Sequence, residues 1–360
     1  MKAVALMCAS ALCLCVAACG TGQAPQPSSR ADTLANDAAS AFLTTYTTDG
    51  GRIQRTDQGG DTVGEGQAYG MLAAAAVGNE QSFNEIWTWT QQNILDSDGL
   101  LAFHWVNGTV VDPTPAADAD LDAARALLVA SCRFRRSDLK SAAIKIGRAV
   151  LARETAKAGS TEVLLAGPWA NKGSHLVFNP SYVDATTLDA LASASGDSQF
   201  GAVAAGSNRL VENMMRPLPP DWATVSTATA QATAVSGPDA TSGPGMFTFD
   251  APRALVRLAE NPDAPARSAA ARAWSVFKAT KPQDIVTEHE LSGAAVGTTK
   301  SPVTLAAAAG AAKASGDTRA MTTLLGEAQR LNTQQPTYFG AAWVALGRLL
   351  LTTDRLQPCA

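Results

Sequence analysis

Gly64-Glu65-Gly66-Gln67-Ala68-Tyr69-Gly70-Met71 places a carboxylate among small residues just ahead of an alanine-rich run. Alanine is the strongest helix former, and the run predicts a helix over 66–78. Ala117-Asp118-Ala119-Asp120-Leu121 repeats the arrangement ahead of a helix over 119–135, and Phe249-Asp250-Ala251-Pro252-Arg253 ahead of one over 251–261. Acids far apart in sequence but all set at helix starts can meet in one cleft. Hydrolysis of a glycosidic bond needs such a meeting, because one protonated and one ionised carboxyl group must flank the scissile bond.

Outward from these three starts, apolar periodicity and stop signals predict helices near 32–47, 81–94, 138–157, 184–195, 198–215, 264–280, 302–315, 317–331 and 337–352. About a dozen helices joined mostly by short loops fit an all-α bundle, a solenoid or a double ring of paired helices. No fixed-period repeat appears, which disfavours a solenoid of standard repeats. Two segments break the helical rhythm. Residues 162–182 carry Gly167-Pro168-Trp169 and Asn179-Pro180-Ser181-Tyr182, both strong punctuation. Residues 216–248 hold Pro217, Pro219, Pro220, Gly237, Pro238, Gly243, Pro244 and Gly245 and read as a long irregular loop. Because it runs straight into Asp250, it is expected to wall a cleft.

Residues 1–18 read as a signal peptide: Met1-Lys2, an apolar run from Ala3 to Val16, then Val16-Ala17-Ala18-Cys19 at the cleavage site. That tetrapeptide looks like a bacterial lipobox, which implies lipid on the Cys19 sulfur; an ordinary secretory signal is the alternative. Residues 19–32 follow as a flexible tether, and 33–360 as a single domain with no linker-like break. The expected location is the extracytoplasmic face of the cell membrane, held there by the lipid. Cys132 and Cys359 remain beyond the signal and Cys19; their pairing is open, and Cys132 reads as a small apolar core residue. No Cys/His cluster has metal-ligand spacing, so neither a metal nor a cofactor is expected. A net charge of -4 with no basic run argues against nucleic acid as a partner. A monomer is expected.

Each acid also has a plainer reading as a helix cap. Thr62-Val63-Gly64-Glu65 fits a capping box. Asp118 or Asp120, and Asp250, fit N-caps of the helices they precede.

Longer blocks set these acids in a family context. Residues 42–71 run from Phe42-Leu43-Thr44-Thr45-Tyr46 through Asp49-Gly50-Gly51-Arg52-Ile53 to Glu65 and Met71. With Gly99-Leu100-Leu101-Ala102-Phe103-His104-Trp105, Ala116-Ala117-Asp118-Ala119-Asp120, Trp169, Asn179-Pro180-Ser181-Tyr182, Pro219-Pro220-Asp221-Trp222 and Tyr338-Phe339, they resemble glycoside hydrolase family 8. The resemblance covers most of the chain beyond the tether. It implies an (α/α)6 barrel, six inner and six outer helices, with irregular loops forming an open cleft. It also implies Glu65 as general acid and, since the base of the endoglucanase branch precedes Ala-X-Arg, Asp250 as general base. Asp118 is the implied partner of the sugar at the cleavage point. Four positions depart from the family pattern: Gly64 replaces a usual Ser, Ala117 a Ser or Thr, Phe249 a tyrosine, and Ala123 a larger aliphatic residue.

Three acids in a matching context outweigh three separate caps. The expectation is an exported endoglucanase, or cellulase, that cleaves internal β-1,4-glucosidic linkages of a cellulose-like polysaccharide with inversion. Asp120, Trp105, Trp169, Tyr182, Phe249, Arg253 and Tyr338 are the candidate substrate-binding residues, the rings as stacking surfaces and Arg253 as a donor. Trp87, Trp89, Trp274 and Trp343 read as core. A helix N-terminus stabilises carboxylate, which suits Asp250 and opposes a protonated Glu65. Burial, or the charge of Asp118, must therefore hold the Glu65 proton. The alternatives are the same chemistry on chitosan, xylan or mixed-linkage glucan, or a catalytically weak glycan-binding lipoprotein in surface-polysaccharide assembly.

Overall fold

The computed structural model describes residues 29–48 and 50–358. The signal, Cys19 and Cys359 lie outside them. Twelve α-helices run through the described residues: α1 Arg30–Tyr46, α2 Gly64–Val77, α3 Glu80–Asn93, α4 Ala117–Arg133, α5 Ser137–Arg153, α6 Ala185–Ser195, α7 Gln199–Met214, α8 Ala251–Glu260, α9 Ala264–Phe277, α10 Pro302–Ala314, α11 Thr318–Gln334 and α12 Tyr338–Thr352. Helix α1 starts inside the stretch expected as tether, because Ser29 caps it by accepting the Asp32 N–H at 3.1 Å.

Burial separates the helices into two classes. The odd-numbered ones, and α6 among the even, bury a single stripe; in α3 it is Phe83, Ile86, Trp87 and Thr90, spaced three and four apart. In α2 the whole run Gly66 to Ala76 is buried, and in α4 the run Ala117 to Ser131. A helix enclosed on all sides needs small side chains so that its neighbours can approach. Ala73–Ala76 and Ala306–Ala309 supply them, and a Cβ at Gly310 would stand 3.1 Å from the Leu255 carbonyl oxygen. α2 packs on α4, α4 on α6, α8 on α10, α10 on α12, and α12 closes on α2. Outside them α1, α5, α9 and α11 lie against this inner ring. The architecture is an (α/α)6 barrel.

Two sequence expectations about connections are corrected. The helix expected to reach 157 stops at Arg153, and Thr155–Ala158 turns back on Thr161–Leu164 as an antiparallel hairpin. β-Branched Thr155 and the left-handed turn at Gly159 favour that choice. The expected irregular loop at 216–248 contains paired strands: Trp222–Ser226 pairs with Ala232–Val235 on one side and His175–Phe178 on the other. Pairing satisfies backbone groups that a loop in this position would leave without partners. Met246–Phe247 pairs with Glu288–Glu290 just before Asp250.

Below the cleft, buried ion pairs lock the inner helices. Arg125 of α4 donates to Asp184 at 3.1 Å, ahead of α6, and to Glu260 at 2.7 Å, at the end of α8. Arg257 of α8 reaches Asp122, Asp184 and Glu260. Burial pushes the Asp184 carboxyl up, but Arg125 and Arg257 outweigh it and hold it at about 2. Removing one partner of a buried pair costs about 3–5 kcal/mol. The network therefore fixes α4 and α8 relative to each other, and their starts carry Asp118 and Asp250. Cys132, expected in the core, is exposed at the end of α4 and disulfide-bonded. Whether Cys359 is its partner lies outside the described residues.

Candidate active site

Neither Glu65 nor Asp250 caps its helix, and Asp118 accepts only the adjacent Ala119 N–H, at 2.9 Å. The Thr62 hydroxyl donates to the Ile53 carbonyl at 2.8 Å instead of serving Glu65, and the N-cap of α2 is Val63, without a side-chain bond. Ala116 occupies the N-cap of α4. Asp250 stands at the N-cap of α8, yet its side chain makes no capping bond. The Ala251 N–H goes to Asp221 Oδ1, at 2.7 Å.

The carboxyls turn to one guanidinium. Arg253 Nη1 lies 2.7 Å from Asp118 Oδ2 and 3.7 Å from Glu65 Oε2, and Nη2 lies 2.6 Å from Asp250 Oδ1. One turn along α8 from Asp250, Arg253 is only 3% exposed. Where the sequence suggested a donor to substrate, Nη1 and Nη2 face the acids, and the buried Nε faces no acceptor among the described residues. Tyr69, one turn after Glu65 on α2, donates to Glu65 Oε2 at 3.4 Å. Asn179 donates to Asp250 Oδ2 at 3.4 Å, its own carbonyl oxygen fixed by the Ser181 N–H and hydroxyl.

Electrostatics separates Glu65 from an ordinary carboxylate. Burial raises it, Arg253 pulls it down, and Asp118 and Asp250 push it up again, leaving it at about 7. Burial is the larger of the two causes expected from the sequence. Glu65 thus keeps its proton through mildly acidic pH, as a general acid must.

Glu65 lines two depressions. One, a cavity of about 380 Å³, is also lined by Arg55, Asp57, Phe249, Lys300 and Tyr338. The other is smaller and bounded by Gly64, Phe103, Asp118 and Tyr182. The Tyr182 ring lies under Arg253 and edge-on to Trp222 at 6.0 Å; Trp222 in turn neighbours Trp169 at 6.4 Å. Phe249 is 44% exposed. The glycines around Glu65 are dictated by close approach. A Cβ at Gly64 would meet the Ala102 carbonyl oxygen at 2.9 Å, and one at Gly66 the Tyr338 hydroxyl at 2.8 Å.

Two of the proposed substrate contacts, Asp120 and Trp105, are placed elsewhere, and Tyr338 is almost wholly buried in the cavity wall. Asp120 is fully buried, accepts the Leu101 N–H at 2.8 Å and faces the equally buried Glu154 carboxyl. Tyr338 is 2% exposed and packs its ring on Phe42 and Tyr46; only its edge reaches the cavity. Trp105 is half-buried, edge-on to Trp89 at 5.2 Å and beneath Arg52, and lines neither depression. Trp87 and Trp343 are core, as expected, while Trp89 and Trp274 are half-buried against it. Sequence reasoning passed over Phe103, an exposed ring beside Glu65, although it lies within a block already singled out. It also passed over Asp221, whose role arises from partners far along the chain.

The family model described as Glycosyl hydrolases family 8 matches residues 18–353. The chain belongs to glycosyl hydrolase family 8. A probable endoglucanase of Novacetimonas hansenii is 34% identical over 221 residues, which are 59% of this chain and 63% of that protein. The chain thus spans under two thirds of the length of this curated relative. The solved endo-beta-1,4-glucanase CMCax from Acetobacter xylinum superposes with a TM-score of 0.74 at 28% identity, covering 88% of this chain and 97% of that one. The beta-1,3-1,4-glucanase of Paenibacillus sp. X4 has a TM-score of 0.79, covering 92% and 93% of the two chains, but only 17% identity, and shares the fold alone.

Proposed function

We propose that this family 8 hydrolase is an endo-acting β-1,4-glucanase that inverts configuration, with Glu65 as general acid, Asp250 as general base and Asp118 holding the sugar at the cleavage point. The observation that carries the reading is Arg253, one buried guanidinium within 3.7 Å of all three carboxyls, with Glu65 raised to about 7. Glu65 would protonate the leaving oxygen. Asp250, about a third exposed, would take a proton from water on the opposite face of the sugar. Clustering around a single guanidinium is compatible with the roughly 6.5–9.5 Å carboxyl separation that seats such a water. The endoglucanase relatives support a β-1,4-glucan as substrate.

A reducing-end assay on cellulosic glucan, mixed-linkage glucan, xylan and chitosan, with Glu65→Gln as blank, tests substrate and class together. Release of internal fragments from β-1,4-glucan is the expected result. Equal counts from wild type and Glu65→Gln would sink the hydrolase reading. NMR of the first-formed anomer tests inversion; a product retaining the β configuration would contradict it. We also propose lipid anchoring through Cys19, resting on Val16-Ala17-Ala18-Cys19. Mass spectrometry of the membrane fraction should find an acylated N-terminal peptide beginning there.

A further inference from the structure

The segment before α8 leaves Asp250 flanked by residues that one other carboxylate holds. Asp221 Oδ1 accepts the Thr248 N–H at 3.0 Å and the Ala251 N–H at 2.7 Å, and Oδ2 accepts the Thr248 hydroxyl at 2.5 Å. Its own N–H donates to the Met246 carbonyl at 2.7 Å. Asp221 is 9% exposed and lines neither depression beside Glu65, so it is not placed to meet a sugar. All of its side-chain bonds go to the residue two before Asp250 and the residue just after it. The Asp250 side chain makes no capping bond to its helix, and with another acid taking that duty its carboxylate faces Arg253 and Asn179.

We propose that Asp221 is the positioning residue of the proposed base: it clamps residues 248 and 251 so that the Asp250 carboxylate is aimed at the attacking water. The inference rests on the reading of Asp250 as base. It also gives the adjoining residue a purpose. Trp222 continues from Asp221 into the strand beside Tyr182 and Trp169, so the aromatic wall and the base are anchored at one dipeptide. Without the clamp, the residues flanking Asp250 lose three bonds, and Asp250 keeps only its carbonyl bond to the Arg253 N–H and its own side-chain bonds. A misplacement of about 1 Å at a reacting group can reduce turnover on the order of 10²-fold.

The experiment compares Asp221→Ala, Asp221→Asn, Thr248→Val and Asp250→Ala in the full chain, measuring kcat and KM on a soluble β-1,4-glucan. Asp221→Ala is expected to lower kcat by about 10²-fold with KM within about twofold. Asparagine can accept both N–H groups and donate to the Thr248 hydroxyl, so Asp221→Asn should recover most of that loss. Adding Asp221→Ala to Asp250→Ala should reduce the residual rate no further, because a positioning residue has nothing left to position. If Asp221→Ala does not fold, Thr248→Val, which deletes a single bond, carries the test through a several-fold drop in kcat. Wild-type kcat in Asp221→Ala or Thr248→Val overturns the proposal, as does full additivity with Asp250→Ala. Substantial activity in Asp250→Ala alone would instead remove the base assignment on which the proposal depends.

Discussion

Replacing Glu65 with glutamine should abolish cleavage of polysaccharide and, above neutral pH, make the protein more stable. The carboxyl moves from an ordinary 4.5 to about 7 on folding, with burial as the main cause. Between those values the folded state binds a proton that the unfolded chain releases, so stability falls as pH rises from about 4.5 to about 7 and stays reduced beyond. At about 1.4 kcal/mol per pH unit, the loss reaches about 3 kcal/mol by pH 8. Glutamine has no charge to desolvate. The contacts it would weaken are long ones, 3.4 Å to Tyr69 and 3.7 Å to Arg253. Since 22% of the side chain still meets solvent, the expected gain is roughly 1–3 kcal/mol at pH 8, fading toward zero at pH 4. Urea unfolding of both proteins at pH 4, 6 and 8 measures it. A helix cap predicts the opposite sign, a loss of about 0.5–2 kcal/mol. A loss at pH 8, or a gain that does not change with pH, would refute the electrostatic account of Glu65.

Other consequences follow from the same contacts. The alkaline limb of kcat should bend near pH 7 as Glu65 loses its proton, with about a tenfold fall per pH unit beyond; a rate flat to pH 9 would contradict the acid assignment. Arg253→Met should leave Asp118 and Asp250 without their shared partner, lowering stability by about 3–5 kcal/mol along with kcat. Denaturant unfolding together with kinetics checks this, and a stable, active variant would show that the guanidinium does not organise the acids. Glu154→Gln tests the buried pair. Burial holds Asp120 and Glu154 well above the usual carboxylate range, so both favour the folded state less as pH rises. An amide donor to Asp120 should add roughly 1.5–3 kcal/mol at pH 9 and little at pH 5, read by denaturant unfolding at both values.

The sequence by itself determined the helices and where the chemistry begins. Alanine-rich periodic runs and breaks at Gly and Pro act within a turn or two, which is why all twelve helices were legible to within a few residues. The same locality failed at Thr155–Ala158 and Trp222–Ser226, where strand pairing depends on partners that no local window contains. Glu65, Asp118 and Asp250 were readable as acids at helix starts, but a helix start allows a cap as readily as a catalyst. Only the tertiary structure tells against the caps, by bringing Arg253 to all three and Asp221 to the cap of α8. It also withdrew Asp120 from the acids' cleft, because side-chain direction and burial are set by how helices pack around the ring. The raised proton affinity of Glu65 belongs to the same class: desolvation is a property of the assembled barrel, and no single segment carries it.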